Sequence, residues 1–125
     1  MYETTSVNQS PLEVFKTAAA LTSGSYTAVA LGENGLAVAT SGVPTGLLLD
    51  VEGTIPAGEY VTIQVSGGGL WLVSEAVKTG DFLSVGDGGK AVKATSGAYI
   101  FAQALDNAAA NSAVRVRIVH GGYQA

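Results

Sequence analysis

The sequence predicts an all-β protein, and three observations lead to that class. Seventeen glycines in 125 residues cut the chain into pieces of a strand's length. Between the glycines, apolar and polar residues alternate, as in residues 60–65, which is the period of a half-buried strand. Only 13% of the residues are charged, too few for a helical bundle, and no apolar run is long enough to span a membrane.

The N-terminal region is predicted to be an extended arm ahead of a β domain. Residues 1–11 are polar and lack a periodic apolar pattern, so the arm is assigned to them and the β domain to residues 12–125. Residues 12–22 fit either a short helix, because of their alanines, or an extended segment, because of Val14 and Phe15. The first residues also lack the basic and apolar regions of a secretory signal.

The strands of the first half follow between glycine-rich turns. Residues 26–31 and 36–40 flank Asn34-Gly35, and this dipeptide predicts a hairpin with a type I′ turn. Two further strands are predicted at residues 47–51 and 60–65, separated by a turn at Pro56-Ala57-Gly58.

The second half of the chain repeats the first at an offset of about 54 residues. Corresponding positions include Phe15 and Trp71, Leu21 and Val77, Leu36 and Lys90, Leu49 and Leu105, and the alternating Val61, Ile63 and Val65 with Val114, Val116 and Ile118. Several collinear blocks make chance similarity the weaker explanation. Because each unit is too small to bury enough surface alone, residues 12–69 and 70–122 are expected to pack together as one pseudo-symmetric barrel or sandwich.

No constellation of residues predicts catalysis, and the chain is not expected to be an enzyme. The absence of cysteine excludes thiol catalysis and cysteine-ligated metal sites, and a net charge of −4 argues against direct binding to nucleic acid. His120 has no second histidine to share a metal, and the carboxylate pair Asp50 and Glu52 is attributed to a solvated strand edge. The stretch from Gly86 to Lys90 is a turn rather than a phosphate-binding loop, since alanine follows the lysine. No catalytic, metal or cofactor site is therefore predicted.

Two segments are candidates for contacts between subunits. Leu70, Trp71, Leu72 and Val73 are consecutive apolar residues, so either both faces of this strand are covered inside the core or one face meets another subunit. Arg115 and Arg117 alternate with apolar residues and project from one strand face. That face is either simply solvated or contacts acidic groups on a neighbouring chain.

The chain resembles the capsid cement or head decoration proteins of tailed phages. The resemblance is carried mainly by residues 70–119. Its residues are the segment Lys78-Thr79-Gly80-Asp81-Phe82-Leu83, then Asp87-Gly88-Gly89-Lys90-Ala91-Val92, Ala104-Leu105-Asp106-Asn107-Ala108-Ala109 and the closing Val114-Arg115-Val116-Arg117-Ile118. It implies a small β-barrel or β-tulip, in the manner of the head decoration protein of phage lambda. It also implies a homotrimeric virion protein, made in the host cytoplasm, that stabilises the outside of the head by bridging subunits of the major capsid protein.

Under that resemblance the arm becomes the candidate capsid-binding segment. Its residues are Tyr2, Glu3, Thr4, Thr5, Ser6, Val7, Asn8 and Gln9. The segment is too polar and too short to fold alone, but its threonines and Val7 are good strand formers. An extended segment of this kind can add to an exposed sheet edge through main-chain hydrogen bonds.

Other classes of protein share parts of the pattern. Biotinyl and lipoyl carrier domains are also pseudo-duplicated β structures with a lysine at a hairpin turn. Lys90 would be the modified residue, although Gly88-Gly89 precedes it in place of the tip that is typical of such carriers. Another β-barrel binding module and a phage tail or fibre module are further alternatives.

Overall fold

The structure is a computed structural model that describes residues 11–51 and 53–125. The predicted arm lies outside the described residues except for Pro11, and Glu52 lies outside them as well. The prediction of an all-β protein is confirmed, because the described chain consists of two five-stranded antiparallel sheets. Residues 12–16, which fitted either a helix or an extended segment, form a strand.

Both sheets have the same strand order. The first contains β1 (Leu12–Lys16), β2 (Ala28–Gly32), β3 (Gly35–Val38), β4 (Gly46–Leu48) and β5 (Tyr60–Gln64), in the order β1-β5-β4-β2-β3. The second contains β6 (Gly67–Leu72), β7 (Phe82–Val85), β8 (Ala91–Lys93), β9 (Tyr99–Ala104) and β10 (Ala113–Tyr123), in the order β6-β10-β9-β7-β8. A short 3-10 turn, Asp87–Gly89, joins β7 to β8.

The strand pairing is equivalent in the two sheets and agrees with the residue correspondence expected from the repeat. Phe15 lies opposite Val61 in the first sheet, and Trp71 lies opposite Val114 in the second. Parallel bridges join Thr17 to Leu36 and Val73 to Ala91. Leu36 therefore corresponds to Ala91, not to Lys90 as expected. The shift arises because the loop between β7 and β8 is longer than the loop between β2 and β3.

Of the two arrangements expected, a barrel or a sandwich, the described strands form two five-stranded sheets and no closed barrel. The outer strands of the first sheet, β1 and β3, come together where β1 ends. A parallel bridge joins Thr17 to Leu36, and the backbone of Gly35 lies close to the carbonyl of Lys16. In the second sheet, β6 and β8 meet in the same way between Val73 and Ala91. Because β3 and β8 have only four and three residues, the contact between the outer strands of each sheet is short.

The first hairpin also differs from the sequence prediction. Gly32 pairs with Gly35, so Glu33 and Asn34 are the two loop residues, and neither has the positive φ that a type I′ turn requires. The positive φ, +125°, falls on Gly35. A Cβ there would collide with the backbone carbonyl of Lys16. This glycine is needed because the end of β1 passes close to β3, not because of the turn.

The two sheets share a core. In the first sheet, Ala28 and Leu47 point to one side and pack with the side chains of the second sheet, including Trp71 and Phe101. Their neighbours on the same strands, Val29 and Leu48, point to the other side and form a smaller cluster with Leu21, Leu36 and Ile63. Strands β2 and β4 are thus covered on both faces, as the alternation of side chains along a strand allows.

The second half of the chain contacts the first through Trp71 and Gly89. The indole Nε1 of Trp71 donates a buried hydrogen bond of 2.8 Å to the carbonyl oxygen of Gly89. Gly89 in turn lies so close to the first sheet that a Cβ on it would be 2.7 Å from the carbonyl oxygen of Ala28. The backbone nitrogen of Leu72 also donates a 2.8 Å hydrogen bond to the carbonyl of Tyr26.

The adjacent residues Gly88 and Gly89 allow this contact to be tested. Both have a positive φ, 67° and 77°, but a Cβ on Gly88 would meet nothing within 4 Å. Gly88→Ala is expected to lose about 1 kcal/mol of unfolding free energy, from backbone strain alone. Gly89→Ala is expected to lose roughly 1–3 kcal/mol more, because overpacking pushes the two sheets apart. Urea unfolding followed by fluorescence of the single tryptophan measures both values, and equal losses would contradict the close contact.

Candidate functional site

An open apolar groove of about 450 Å³ lies on the second sheet, where β6 runs beside β10. It is lined by Gly68, Gly69, Leu70, Leu105, Arg115 and Val116. Leu70 and Arg115 are directly opposite each other on the paired strands, and Arg117 lies opposite Gly68 on the same face. The glycines of β6 provide no side chains, so the groove stays open between the larger residues.

Gln64 lies behind the glycines of the groove, and its side chain explains why residue 69 is a glycine. Its side-chain amide is buried and donates hydrogen bonds to the carbonyl oxygens of Ser66 and Gly68. A Cβ on Gly69 would overlap the side-chain oxygen of Gln64, so a larger residue cannot replace Gly69 while Gln64 stays in place. At Gly68 the nearest atom to a Cβ would be the carbonyl oxygen of Val116 at 3.7 Å, which is an ordinary contact.

An ion pair closes one side of the groove. Arg115 Nε donates a 2.7 Å hydrogen bond to Oδ2 of Asp106, and a second guanidinium nitrogen donates one of 3.2 Å to Oδ1. This hydrogen bonding, with the attraction of the positive charge, lowers the pKa of Asp106 and raises that of Arg115. Within residues 11–51 and 53–125, Arg117 has no ion pair, so its charge faces solvent.

The structure separates the predicted interface residues into core and surface. Trp71 and Val73 are fully buried within the chain, so they belong to the core and present no surface to another subunit. Leu72 is half-buried. Leu70 is 37% exposed, and Arg115 and Arg117 are exposed as well. The two faces of this segment therefore differ. The face of Trp71 and Val73 is covered by the core and the face of Leu70 is open to solvent, because side chains alternate along a strand.

A cluster of aromatic rings near the C-terminus was not predicted from the sequence. The hydroxyl of Tyr99 and Nδ1 of His120 are hydrogen-bonded at 2.8 Å. The ring of Tyr99 also contacts that of Tyr123, and the ring of His120 contacts that of Phe101. Burial, with a smaller effect of Tyr123, raises the pKa of Tyr99. The cluster depends on a shift of register in β10 between Ile118 and Gly122, where His120 has a φ of 44°. The paired glycines after His120 were the only signal for that bulge in the sequence.

Three further polar residues were singled out in the sequence: Asp50, Glu52 and Lys90. Asp50 accepts a 2.9 Å hydrogen bond from the hydroxyl of Ser25, whereas Glu52, its expected partner, is not among the described residues. Lys90 is half-buried beside the 3-10 turn, with its backbone nitrogen bonded to the carbonyl of Asp87. No group of three or more potential metal-ligating side chains occurs in the described part of the chain. Over the same residues, no helix has the length and apolar character needed to cross a membrane.

Comparison with solved structures shows a fold that is already known. The chain is similar to the head fiber gp8.5 N base of bacteriophage phi29, with a TM-score of 0.71 and 15% sequence identity. The likeness covers 91% of this chain and 98% of that one. No protein-family model matches the sequence, and no curated protein is significantly similar to it. At this level of identity the comparison establishes a common fold.

The pairing of Asp106 with Arg115 can be measured by NMR titration of the carboxyl group. Replacing Arg115 by alanine is expected to raise the pKa of Asp106 toward its ordinary value, because the hydrogen-bond donors are lost. Arg117→Ala is the matched control and should leave that pKa unchanged. Since pairing lowers the folded-state pKa, its contribution to stability is present above the ordinary pKa of aspartate and is lost as the pH falls through the lowered one. An unchanged pKa in Arg115→Ala would refute the pairing.

Proposed function

We propose that this chain is a structural protein on the outer surface of a tailed-phage head. The observation that carries the proposal is the extent of the likeness to a head fiber base, which includes nearly all of both chains. The resemblance of residues 70–119 to head decoration proteins points to the same location. The partner we expect is the major capsid protein.

The proposed role is to bridge neighbouring coat subunits and thereby stabilise the head. A protein that binds only where two subunits meet favours the assembled state over the dissociated one by mass action. Residues 2–9 are the proposed attachment segment, and an exposed apolar face follows them directly. On that face, Leu12, Val14 and Tyr60 are 40%, 60% and 71% exposed. Leu12 and Val14 alternate along β1, and Tyr60 lies opposite Lys16, so the three side chains project to the same side.

An outer strand with an exposed apolar face suits this role. Among the described strands of the first sheet, β1 lies at the edge of the strand order and pairs with β5. Large exposed apolar residues are typical of protein interaction sites, and an outer strand is a template for strand addition. The coat contact would then begin in residues 2–9 and continue along β1.

Binding to heads tests the proposal directly. The full chain, mixed with purified heads of the phage that encodes it, is expected to co-sediment with them and to saturate at a fixed ratio to coat subunits. Deleting residues 2–10 should weaken binding about tenfold or more, which corresponds to roughly 1.4 kcal/mol. A variant with residues 2–9 replaced by a Gly-Ser segment of equal length controls for chain length and should bind as weakly as the deletion.

Two exposed valines provide a matched pair for the same assay. Val14 is 60% exposed on the proposed face, and Val43 is 48% exposed in the loop before β4. Val14→Lys should reduce head binding, because a charge would be desolvated in the contact, whereas Val43→Lys should bind as the unmodified chain does. Failure of the full chain to bind heads would overturn the proposed function. Equal binding by both valine variants would show that β1 is not part of the contact.

We also expect the protein to be a homotrimer, as head decoration proteins of this type commonly are. The low proportion of charged residues, 13%, and the exposed apolar side chains leave a surface that favours association. Light scattering at micromolar concentration should give the mass of three chains in place of the single-chain 12.5 kDa. A mass of one chain, both free and bound to heads, would contradict this expectation.

A further inference from the structure

The groove beside β6 has an apolar part and a cationic part. In the apolar part, Leu70 lies opposite Arg115 on β6, and the backbone nitrogen of Leu105 donates a 2.8 Å hydrogen bond to the carbonyl oxygen of Arg115. Two residues further along β10, Arg117 lies opposite Gly68, which has no side chain to fill the space. The two parts are thus about 7 Å apart, the distance between alternate residues of a strand.

The charges of the groove are not balanced within the described residues. Arg115 is paired with Asp106, whereas Arg117 has no ion pair in that part of the chain. A partner for this groove therefore needs an apolar group for the two leucines and a negative charge about 7 Å away for Arg117. An extended peptide segment meets both needs when an apolar and an acidic residue are two positions apart, because alternate side chains project to the same side.

The hairpin of β2 and β3 carries such a pair of residues. Leu31 is 50% exposed near the end of β2, and Glu33 is exposed in the two-residue loop that follows. Among the exposed large apolar residues of the described chain, Leu31 is the one with an acidic residue two positions away. Glu33 makes no ion pair within residues 11–51 and 53–125. The end of the hairpin thus complements the groove in polarity, in charge and in spacing.

We propose that the groove of one copy of this chain binds the β2–β3 hairpin of a second copy. Leu31 lies between Leu70 and Leu105 of the other copy, and the carboxylate of Glu33 accepts hydrogen bonds from the guanidinium group of Arg117. The proposal rests on the expected homotrimer. Because the hairpin and the groove belong to different sheets, the contact is head-to-tail, and contacts of this kind produce a closed ring or an open filament. In a homotrimer the ring closes after three identical contacts.

Disulfide cross-linking tests which parts of two copies meet, and the absence of cysteine from the chain makes the test specific. Chains with Leu31→Cys and chains with Leu70→Cys are co-expressed, purified and oxidised. They are expected to form a disulfide-linked dimer, because the two side chains touch in the contact. Either variant expressed and oxidised alone should remain a single chain on a non-reducing gel. Val14→Cys, at another exposed position of the first sheet, is the matched control and should not link to Leu70→Cys.

Charge reversal tests the ionic part of the contact. Glu33→Arg and Arg117→Glu should each raise the dissociation constant of the homotrimer about tenfold or more, because each variant brings like charges together. The double variant should recover most of this loss, since the pair is restored with its signs exchanged. Glu59→Arg makes the same charge change at another exposed glutamate and should leave the dissociation constant unchanged. Analytical ultracentrifugation over a range of concentrations measures all four values.

The outcomes separate this contact from the homotrimer and from head binding. A homotrimer without the disulfide between Leu31→Cys and Leu70→Cys chains would overturn the contact alone, and so would equal dissociation constants for Glu33→Arg and Glu59→Arg. A mass of one chain for the unmodified protein, both free and on heads, would overturn the homotrimer and the contact together. Failure to bind heads would overturn the proposed function, whereas the disulfide between copies would still support the contact.

Discussion

The arrangement of the two sheets depends on the contact between Trp71, Gly89 and Ala28. The buried indole N–H of Trp71 has its hydrogen-bond partner in the Gly89 carbonyl, which fixes the 3-10 turn above the tryptophan ring. The same glycine lies against the backbone of Ala28, where no Cβ fits. Because an unsatisfied buried N–H is costly, the position of this turn is tied to the largest side chain of the core. The turn thus joins the second sheet to the first.

This contact also shows how two repeats of one topology take different roles. Phe15 and Trp71 occupy corresponding positions in their sheets, but Phe15 is half-buried over a small cluster and Trp71 is fully buried in the large one. The ring of Phe101 packs edge-on against Trp71, with centroids 5.4 Å apart. The first sheet contributes side chains to both clusters, so it lies between its own small core and the second sheet. The outer face of β1 carries Leu12 and Val14, whereas that of β6 carries Gly68, Leu70 and the half-buried Leu72.

The short link between the two halves of the chain is held in place by its neighbours. Pro11 is bonded to Val65, and the connection from β5 to β6 is only Val65 and Ser66. Gln64 holds this connection through hydrogen bonds to Ser66 and Gly68 and also supports Gly69 from below. The start of the described chain, the link between the halves and the groove are therefore one structural region.

The sequence by itself determined the all-β class, the positions of most strands and the correspondence of Phe15 with Trp71 and of Val61 with Val114. These features follow from side-chain alternation and from glycine punctuation, which are local properties of the chain. Only the tertiary structure decided that Trp71 and Val73 are core while Leu70 is surface, that the described strands do not close into a barrel, and that a groove opens beside Leu105 and Arg115. It also decided that Gly35 is needed for the approach of Lys16 and not for a type I′ turn. The physical reason is that alternation assigns residues to two faces of a strand, but the packing of distant segments determines which face is covered and how closely two backbones approach.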